Sequence, residues 1–241
     1  MRIPLSCMQC FKERGQPDDV LYPAELQDSG LYRLVCRTGH ETFTCVQEQK
    51  FEVLFELALN AIVDGYYREA VASFSSSLER FYEFYVRVLC VKRGLDEATV
   101  ASAWKPIAKQ SERQFGVYVF TYLLENGSVA AQLPEAQVAF RNEVIHNGKI
   151  PSRDEAVKYG QAVLHVIAPI LDVLKKDEDE HVGKVVLAHI QRTRQQVDGA
   201  PNISFMSIAT TVSIARAHTE PQPDVVASIT RLSERRHRSG W

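Results

Sequence analysis

The chain has 241 residues, of which 45% are hydrophobic and 24% are charged. This composition is typical of a soluble globular protein with one sizeable core and a small additional module. The formal net charge is -2, so the overall charge does not indicate a nucleic-acid-binding protein, and such a partner would require a local basic patch. The sequence shows neither a signal-peptide core nor an apolar run of the ~20 residues that span a bilayer, so we expect a cytoplasmic protein without a membrane partner.

The N-terminal region carries most of the cysteines, in a pattern that predicts a metal site. Cys7 and Cys10 have the C-x-x-C spacing of a metal-binding turn, and Cys36 and His40 offer a second thiolate–imidazole pair. Four such ligands complete the tetrahedron that zinc prefers. Cys45 is an alternative to His40 as the fourth ligand, and reduced thiols without a metal are the other possibility.

The segments around these ligands favour a zinc ribbon. Residues 31–35 and 42–44 are predicted to be short strands that flank the second ligand pair. Because four protein ligands leave no open position for a substrate, we expect Zn²⁺ to be structural and to supply folding free energy to a short segment. We therefore predict a zinc-ribbon domain at residues 1–48.

Apolar residues at helical spacing dominate the region from residue 49 to residue 200 and predict a helical bundle. Ser152 and Glu155 have the spacing of a capping box, which marks a helix start. The aromatic residues of the second helical segment are expected to be core rather than a platform for stacking bases. The predicted helical segments are 49–64, 70–94, 115–124, 134–147, 152–174 and 182–197, and residues 95–112 are expected to be irregular.

Residues 201–241 change in character and are predicted to form a C-terminal extension, partly strand or disordered. Residues 203–217 are rich in β-branched side chains, and the Pro-Gln-Pro at 221–223 indicates a linker. The basic residues at 235–238 are interpreted as a solvated tail rather than a phosphate-binding patch.

The end of the fourth helical segment combines Arg141, Asn142 and His146 within six residues. Arginine binds phosphate oxygens through paired hydrogen bonds, and histidine can exchange a proton near neutral pH. Asn142 and His146 share a helix face, whereas Arg141 lies about 100° away from Asn142 around the helix. We therefore expect a phosphodiester site that is complete only when a second copy of the chain contributes. The alternative is that His146 stabilises the helix C-terminus and Arg141 forms a surface ion pair.

This helical region resembles the HEPN superfamily over about residues 49–198. The resemblance rests on the R-N-x-x-x-H motif, on the YYREA sequence at 66–70 and on the LER sequence at 78–80. It implies a mainly α, HEPN-like bundle that acts as a homodimeric, metal-independent endoribonuclease of a toxin or antiphage-defence type. By the resemblance, Arg141 would hold the scissile phosphate of RNA and His146 would be the general acid/base.

Two other functions are compatible with these motifs. Some members of the superfamily only bind RNA or a protein partner, and this chain can be such a dimerisation module, with or without a regulatory protein. Alternatively, the zinc ribbon binds nucleic acid while the helices only dimerise.

Overall fold

The computed structural model describes residues 1–16, 20–200, 202–216 and 223–239. The chain is mainly helical, with 61% of its residues in helices, and has a small N-terminal sheet. It divides into two compact units, which we call unit 1 (Met1–Gln49 with Val186–Ala209) and unit 2 (Lys50–Val185 with Thr210–Trp241).

Unit 1 holds the strands of the structure and a short helix. A two-stranded antiparallel sheet pairs β1 with β2, and a second sheet has the order β3-β4-β5, with β4 antiparallel to β3 and parallel to β5. These elements are β1 (Arg2–Leu5), α1 (Met8–Arg14), β2 (Tyr22–Glu25), β3 (Leu31–Val35), β4 (Glu41–Val46) and β5 (Ile203–Met206).

The core of unit 1 surrounds the predicted metal ligands. Ile3 and Leu5 alternate with exposed residues along β1, as expected for a strand with one buried face. They pack in one cluster with Tyr32, Leu34 and the side chains of Cys7, Cys10 and Cys36. The predicted strand at 31–35 is present, and the second predicted strand is longer than the 42–44 expected from the sequence.

Unit 2 is built around one long central helix. That helix, α3 (Tyr67–Lys92), contacts the helices on either side of it in the chain and three later ones. The other helices of the unit are α2 (Lys50–Val63), α4 (Glu97–Trp104), α5 (Ser111–Asn126), α6 (Glu135–His146), α7 (Arg153–Asp177) and α9 (Val225–Ser239). The remaining helix, α8 (Asp179–Gln195), continues from unit 2 into the residues assigned to unit 1.

Buried aromatic rings hold α2 against α3. Phe51 and Phe81 form an edge-to-face pair with centroids 5.4 Å apart, and Phe55 and Phe74 form another at 4.9 Å. These rings are almost inaccessible to solvent, so the interpretation of the aromatic residues as core is confirmed for this part of α3. Gly160 of α7 lies so close to Phe74 that an added Cβ would approach the ring to 2.5 Å.

Helix α7 starts at the capping box predicted from the sequence, whereas α4 lies in a segment that was predicted to be irregular. Ser152 accepts a hydrogen bond from the Glu155 amide, and Glu155 returns one to the Ser152 amide, which completes the predicted capping box. Residues 97–104, predicted to be irregular, form α4, because Asp96 caps the helix by accepting from the Thr99 amide.

Among the described residues, α7 is the one helix long and apolar enough to cross a membrane. Its most apolar stretch is 56% buried inside the structure. Val163 and Ile167 of this helix are completely buried, so its apolar face belongs to the core of unit 2.

Two buried carboxylates on α2 bind the chain that follows residue 209. Glu52 accepts a hydrogen bond of 2.8 Å from the Ile214 amide, and Glu56 accepts one of 3.3 Å from the Thr211 amide. These carboxylates are four residues apart, so they lie on one face of α2. The sequence suggested one or two strands over residues 203–217, and one of them, β5, is present. The described residues 207–216 form no strand, and two of their backbone N–H groups bond to these carboxylates instead.

The basic C-terminal segment is helical and docked, in contrast to the predicted solvated tail. Arg235 pairs with Glu56 at 3.3 Å, and Arg236 pairs with Asp64 and donates to Asn60. Val225, the first residue of α9, is completely buried. The acidic face of α2 therefore explains why this segment is ordered.

We expect Glu56→Gln to make the stability of the protein less dependent on pH. Burial raises the pKa of Glu56 above 4.5, against the opposing effects of Arg235 and Thr211. The folded chain therefore holds this proton more tightly, and the resulting stabilisation is complete below pH 4.5 and lost as the pH rises through the raised pKa. One such group changes the unfolding free energy by at most about 1.4 kcal/mol per pH unit.

Thermal unfolding of the two proteins between pH 4.5 and 8 measures this effect. The fall in melting temperature with rising pH should be shallower for Glu56→Gln than for the wild type. Glu234→Gln, which changes an exposed carboxylate on α9, serves as the control. Identical pH profiles for the wild type and Glu56→Gln would contradict the assignment.

Candidate functional site

Unit 1 brings Cys7, Cys10, Cys36 and His40 together. Their ligand atoms all lie within 4.8 Å of one another. The Cys10 and Cys36 sulfurs are 3.7 Å apart, and His40 Nδ1 lies 3.9 Å from the Cys7 sulfur and 3.3 Å from the Cys10 sulfur. A tetrahedral Zn²⁺ site requires sulfur–sulfur separations of about 3.8 Å and sulfur–nitrogen separations of about 3.6 Å. The four residues therefore fit a tetrahedral metal ion.

Local structure aims these four side chains at one point. Cys7 is the N-cap of α1, and its sulfur accepts from the Cys10 amide at 3.5 Å, so the first ligand pair sits on a helix turn. Cys36 and His40 close a turn in which the Cys36 amide donates to the His40 carbonyl at 3.0 Å. Gly39 has φ +84° in this turn, a conformation that other residues rarely adopt.

Two side chains that the sequence analysis did not single out support the ligands. Glu13 lies 3.3 Å from His40 Nε2, so a proton on Nε2 leaves Nδ1 as the nitrogen that faces the sulfurs. The Thr38 hydroxyl lies 2.9 Å from the Cys36 sulfur. Burial raises the pKa of Cys36, but hydrogen bonds from Thr38 and nearby amides outweigh it and lower the pKa to about 6. These hydrogen bonds favour the thiolate of Cys36, the form that binds a metal.

Cys45 lies outside this cluster. It is completely buried in β4, opposite Leu31 of β3, and burial raises the pKa of its thiol. The structure thus brings together the four ligands preferred from the sequence and leaves out the alternative. With four protein ligands and three of them buried, the cluster suits a structural ion better than a catalytic one.

In unit 2, Arg141 and Asn142 lie on the wall of a pocket with a volume of about 490 Å³. Arg141 donates to the Asn142 side-chain oxygen at 3.0 Å and to Glu79 of α3 at 3.1 Å. These contacts use two of the five N–H groups of the guanidinium and fix its position. The other N–H groups form no hydrogen bond within the part of the chain that the structure describes.

Two carboxylates shape the electrostatics beside Arg141. Burial raises the pKa of Glu79, and the charges of Arg141 and Arg80 oppose this effect. The pKa of Glu112 on α5 is lowered, first by hydrogen bonds from its own amide and from Ser111, and further by the charges of Arg141 and His146. Glu112 is thus near enough to both predicted catalytic side chains to respond to their charges.

His146 is the last residue of α6 and is exposed. Within the described residues it forms no hydrogen bond or ion pair, and it does not line the pocket that Arg141 lines. Five residues of helix place it about 7.5 Å from Arg141 along the axis of α6. One copy of the chain therefore holds the two side chains near the same carboxylate without bringing them into contact.

Comparisons with protein-family models, with curated proteins and with solved structures find no match to this chain. The resemblance to the HEPN superfamily therefore stays a prediction that rests on the motif.

The structure adds Glu79, Glu112 and Tyr82 to the residues around Arg141. Glu79 falls within the LER sequence at 78–80, but nothing local indicates its pairing with Arg141, which is 62 residues away.

Proposed function

We propose that unit 2 is an endoribonuclease that cleaves RNA through its 2′-hydroxyl, with Arg141, Asn142 and His146 as the catalytic residues. The observation that carries the proposal is that Asn142 and Glu79 hold Arg141 in the wall of an open pocket, while the exposed His146 ends the same helix, α6. The anchored guanidinium has N–H groups left for a phosphate, and the exposed imidazole has no protein partner among the described residues.

The chemistry needs proton transfer and charge stabilisation. The 2′-hydroxyl attacks the adjacent phosphorus while an imidazole takes its proton, and a protonated imidazole gives a proton to the departing 5′-oxygen. Arg141 stabilises the negative charge that gathers on the phosphorane oxygens. Asn142 orients the guanidinium, to which its side-chain oxygen is already bonded. None of these steps requires a metal ion.

A second copy of the chain supplies the second imidazole that the reaction needs. Asn142 and His146 are both exposed and share one face of α6, together with Val138, which is 44% exposed. Only Val144 of α6 is fully buried, so much of this helix is free to meet another molecule. In a two-fold dimer across this face, one imidazole acts as the base and its symmetry mate as the acid.

We propose that the ion of the Cys3His cluster is Zn²⁺ and that its role is structural. Three thiolates and one imidazole with tetrahedral spacing suit Zn²⁺ better than Mg²⁺ or Ca²⁺, which prefer oxygen ligands. The ion fixes α1 relative to the 36–40 turn.

A non-catalytic role, as an RNA- or protein-binding dimer, is the second candidate. The observation in its favour is that His146 does not line the pocket with Arg141, while Glu79 offsets the charge of Arg141. A toxin or antiphage-defence role, and a regulatory protein partner, would follow from the resemblance to the HEPN superfamily.

The deciding experiment incubates the full-length protein, loaded with zinc, with structured and unstructured RNAs. Excess magnesium chelator is present, and intact zinc content is verified afterwards. We expect products that end in a 2′,3′-cyclic phosphate, and a dimer by sedimentation. Binding of the same RNAs without any cleavage would favour the second candidate.

A further inference from the structure

We propose that the pocket beside Arg141 binds a guanine base of the RNA substrate, an inference that rests on the proposed function. The pocket lies between α3, α5 and α6, and Tyr159 of α7 completes its wall. Its volume of about 490 Å³ lies within the range of small-molecule sites.

The walls of the pocket suit a flat, apolar ring. Helix α3 contributes Leu78 and Tyr82 to the wall, and α5 contributes Phe115. Leu133 lies in the loop before α6, and Val138 lies on α6. Aromatic and aliphatic walls of this kind stabilise a base that has left its stack.

Tyr82 provides a polar group that the protein leaves without a partner. The residue is 5% exposed and is held by stacking on Tyr118, with ring centroids 4.3 Å apart. Its hydroxyl forms no hydrogen bond with any residue that the structure describes. Because Tyr82 lines the pocket, its hydroxyl is open to the pocket and can donate to or accept from a ligand there.

Carboxylates outnumber cations among the charged side chains of the wall. Glu79, Glu112 and Glu135 all line the pocket, against a single cation, Arg141. The Glu79 oxygen that does not pair with Arg141 has no other hydrogen bond within the described residues. The pocket therefore favours a ring that donates hydrogen bonds.

Guanine matches this requirement better than the other bases of RNA. Its N1–H and N2–H₂ groups are adjacent donors, which one carboxylate can accept together, whereas uracil presents a single N–H between two carbonyl oxygens. Because Arg141 lines the same pocket, a base bound there leaves its own phosphate beside the guanidinium. The site would then cleave RNA next to guanosine.

Binding of 5′-GMP and 5′-UMP to the full-length protein, measured by calorimetry, tests the pocket without requiring cleavage. We expect GMP to bind at least about tenfold more tightly than UMP. Tyr82→Phe, which removes only the hydroxyl, should weaken GMP binding by about 3- to 10-fold. Val138→Trp should fill the pocket and abolish GMP binding, and sedimentation must show the same oligomeric state as the wild type, because Val138 also lies on the proposed dimer face. Leu124→Trp, at a side chain that is 78% exposed and outside the pocket wall, is the matched control and should bind GMP as the wild type does.

Mapping of RNA cleavage sites then separates this inference from the proposed function. Cleavage next to guanosine supports both, and GMP binding without any RNA cleavage overturns the function and supports the pocket. Cleavage without base preference, equal binding of GMP and UMP, or unchanged GMP binding by Val138→Trp overturns the guanine pocket.

Discussion

Replacement of Cys36 by alanine is expected to remove the bound metal and unfold unit 1, whereas replacement of Cys45 by alanine leaves the metal in place. Cys36 is one of the four residues that are placed to hold the proposed ion. Cys45 is as deeply buried but belongs to the β3–β4 pairing and not to the cluster. Structural zinc contributes about 10–16 kcal/mol to the folding of small metal-dependent domains. If removal of one ligand releases the ion, the free energy lost is therefore larger than the stability that a core of this size provides.

Metal content and hydrogen exchange measure the two parts of this prediction. The wild type and Cys45→Ala should each hold one equivalent of zinc, and Cys36→Ala should hold much less than one. Amide protection in β3 and β4 should disappear in Cys36→Ala, while α3 and α7 of unit 2 keep theirs. Zinc retained by Cys36→Ala, or lost by Cys45→Ala, would show that the ligand set is wrong.

Replacement of His146 by alanine is expected to lower the rate of RNA cleavage by about 10²- to 10⁴-fold, the usual contribution of a general acid or base. The fold should not change, because His146 is exposed and forms no hydrogen bond or ion pair within the described residues. Surface substitutions of this kind alter the unfolding free energy by less than about 0.5 kcal/mol. Any large loss of activity would therefore come from chemistry and not from unfolding.

The readout that separates catalysis from a structural role is rescue by added imidazole. If His146 transfers protons, imidazole in solution should restore part of the activity of His146→Ala, with no effect on the wild type. His165→Ala is the matched control, because His165 is also exposed on a helix of unit 2 and its one hydrogen bond within the described residues is to Gln161, at 2.9 Å. Full activity of His146→Ala would exclude the proposed acid/base.

Local sequence signals predicted α2, α6 and α7 of unit 2 well, but not α9, which was expected to be a solvated tail. The bounds of α2, α6 and α7 follow from apolar periodicity and from the cap at Ser152, since both act within a few residues of chain. The same reasoning missed α4, because its Asp96 cap stands in a polar segment without a long apolar stripe.

The sequence by itself also determined which residues can hold a metal, because C-x-x-C spacing and the glycine turn before His40 are local features. It could not decide between His40 and Cys45. That choice depends on where α1 packs against the 36–40 turn. His40 is 30 residues from Cys10 and 33 residues from Cys7 in the sequence, so no local pattern can show that they meet.

Only the tertiary structure decided how residues 201–241 are used and what surrounds Arg141. The residues that hold the C-terminal segment are buried carboxylates on α2 that are 155 to 179 positions away, and a local pattern contains no information at that distance. Likewise, Arg141, Asn142 and His146 are a sequence motif, but Glu79 and the pocket with Tyr82 exist only because α3, α5 and α6 pack together. Side-chain chemistry and spacing are encoded locally, whereas the partners of a buried polar group are set by the packing of the whole unit.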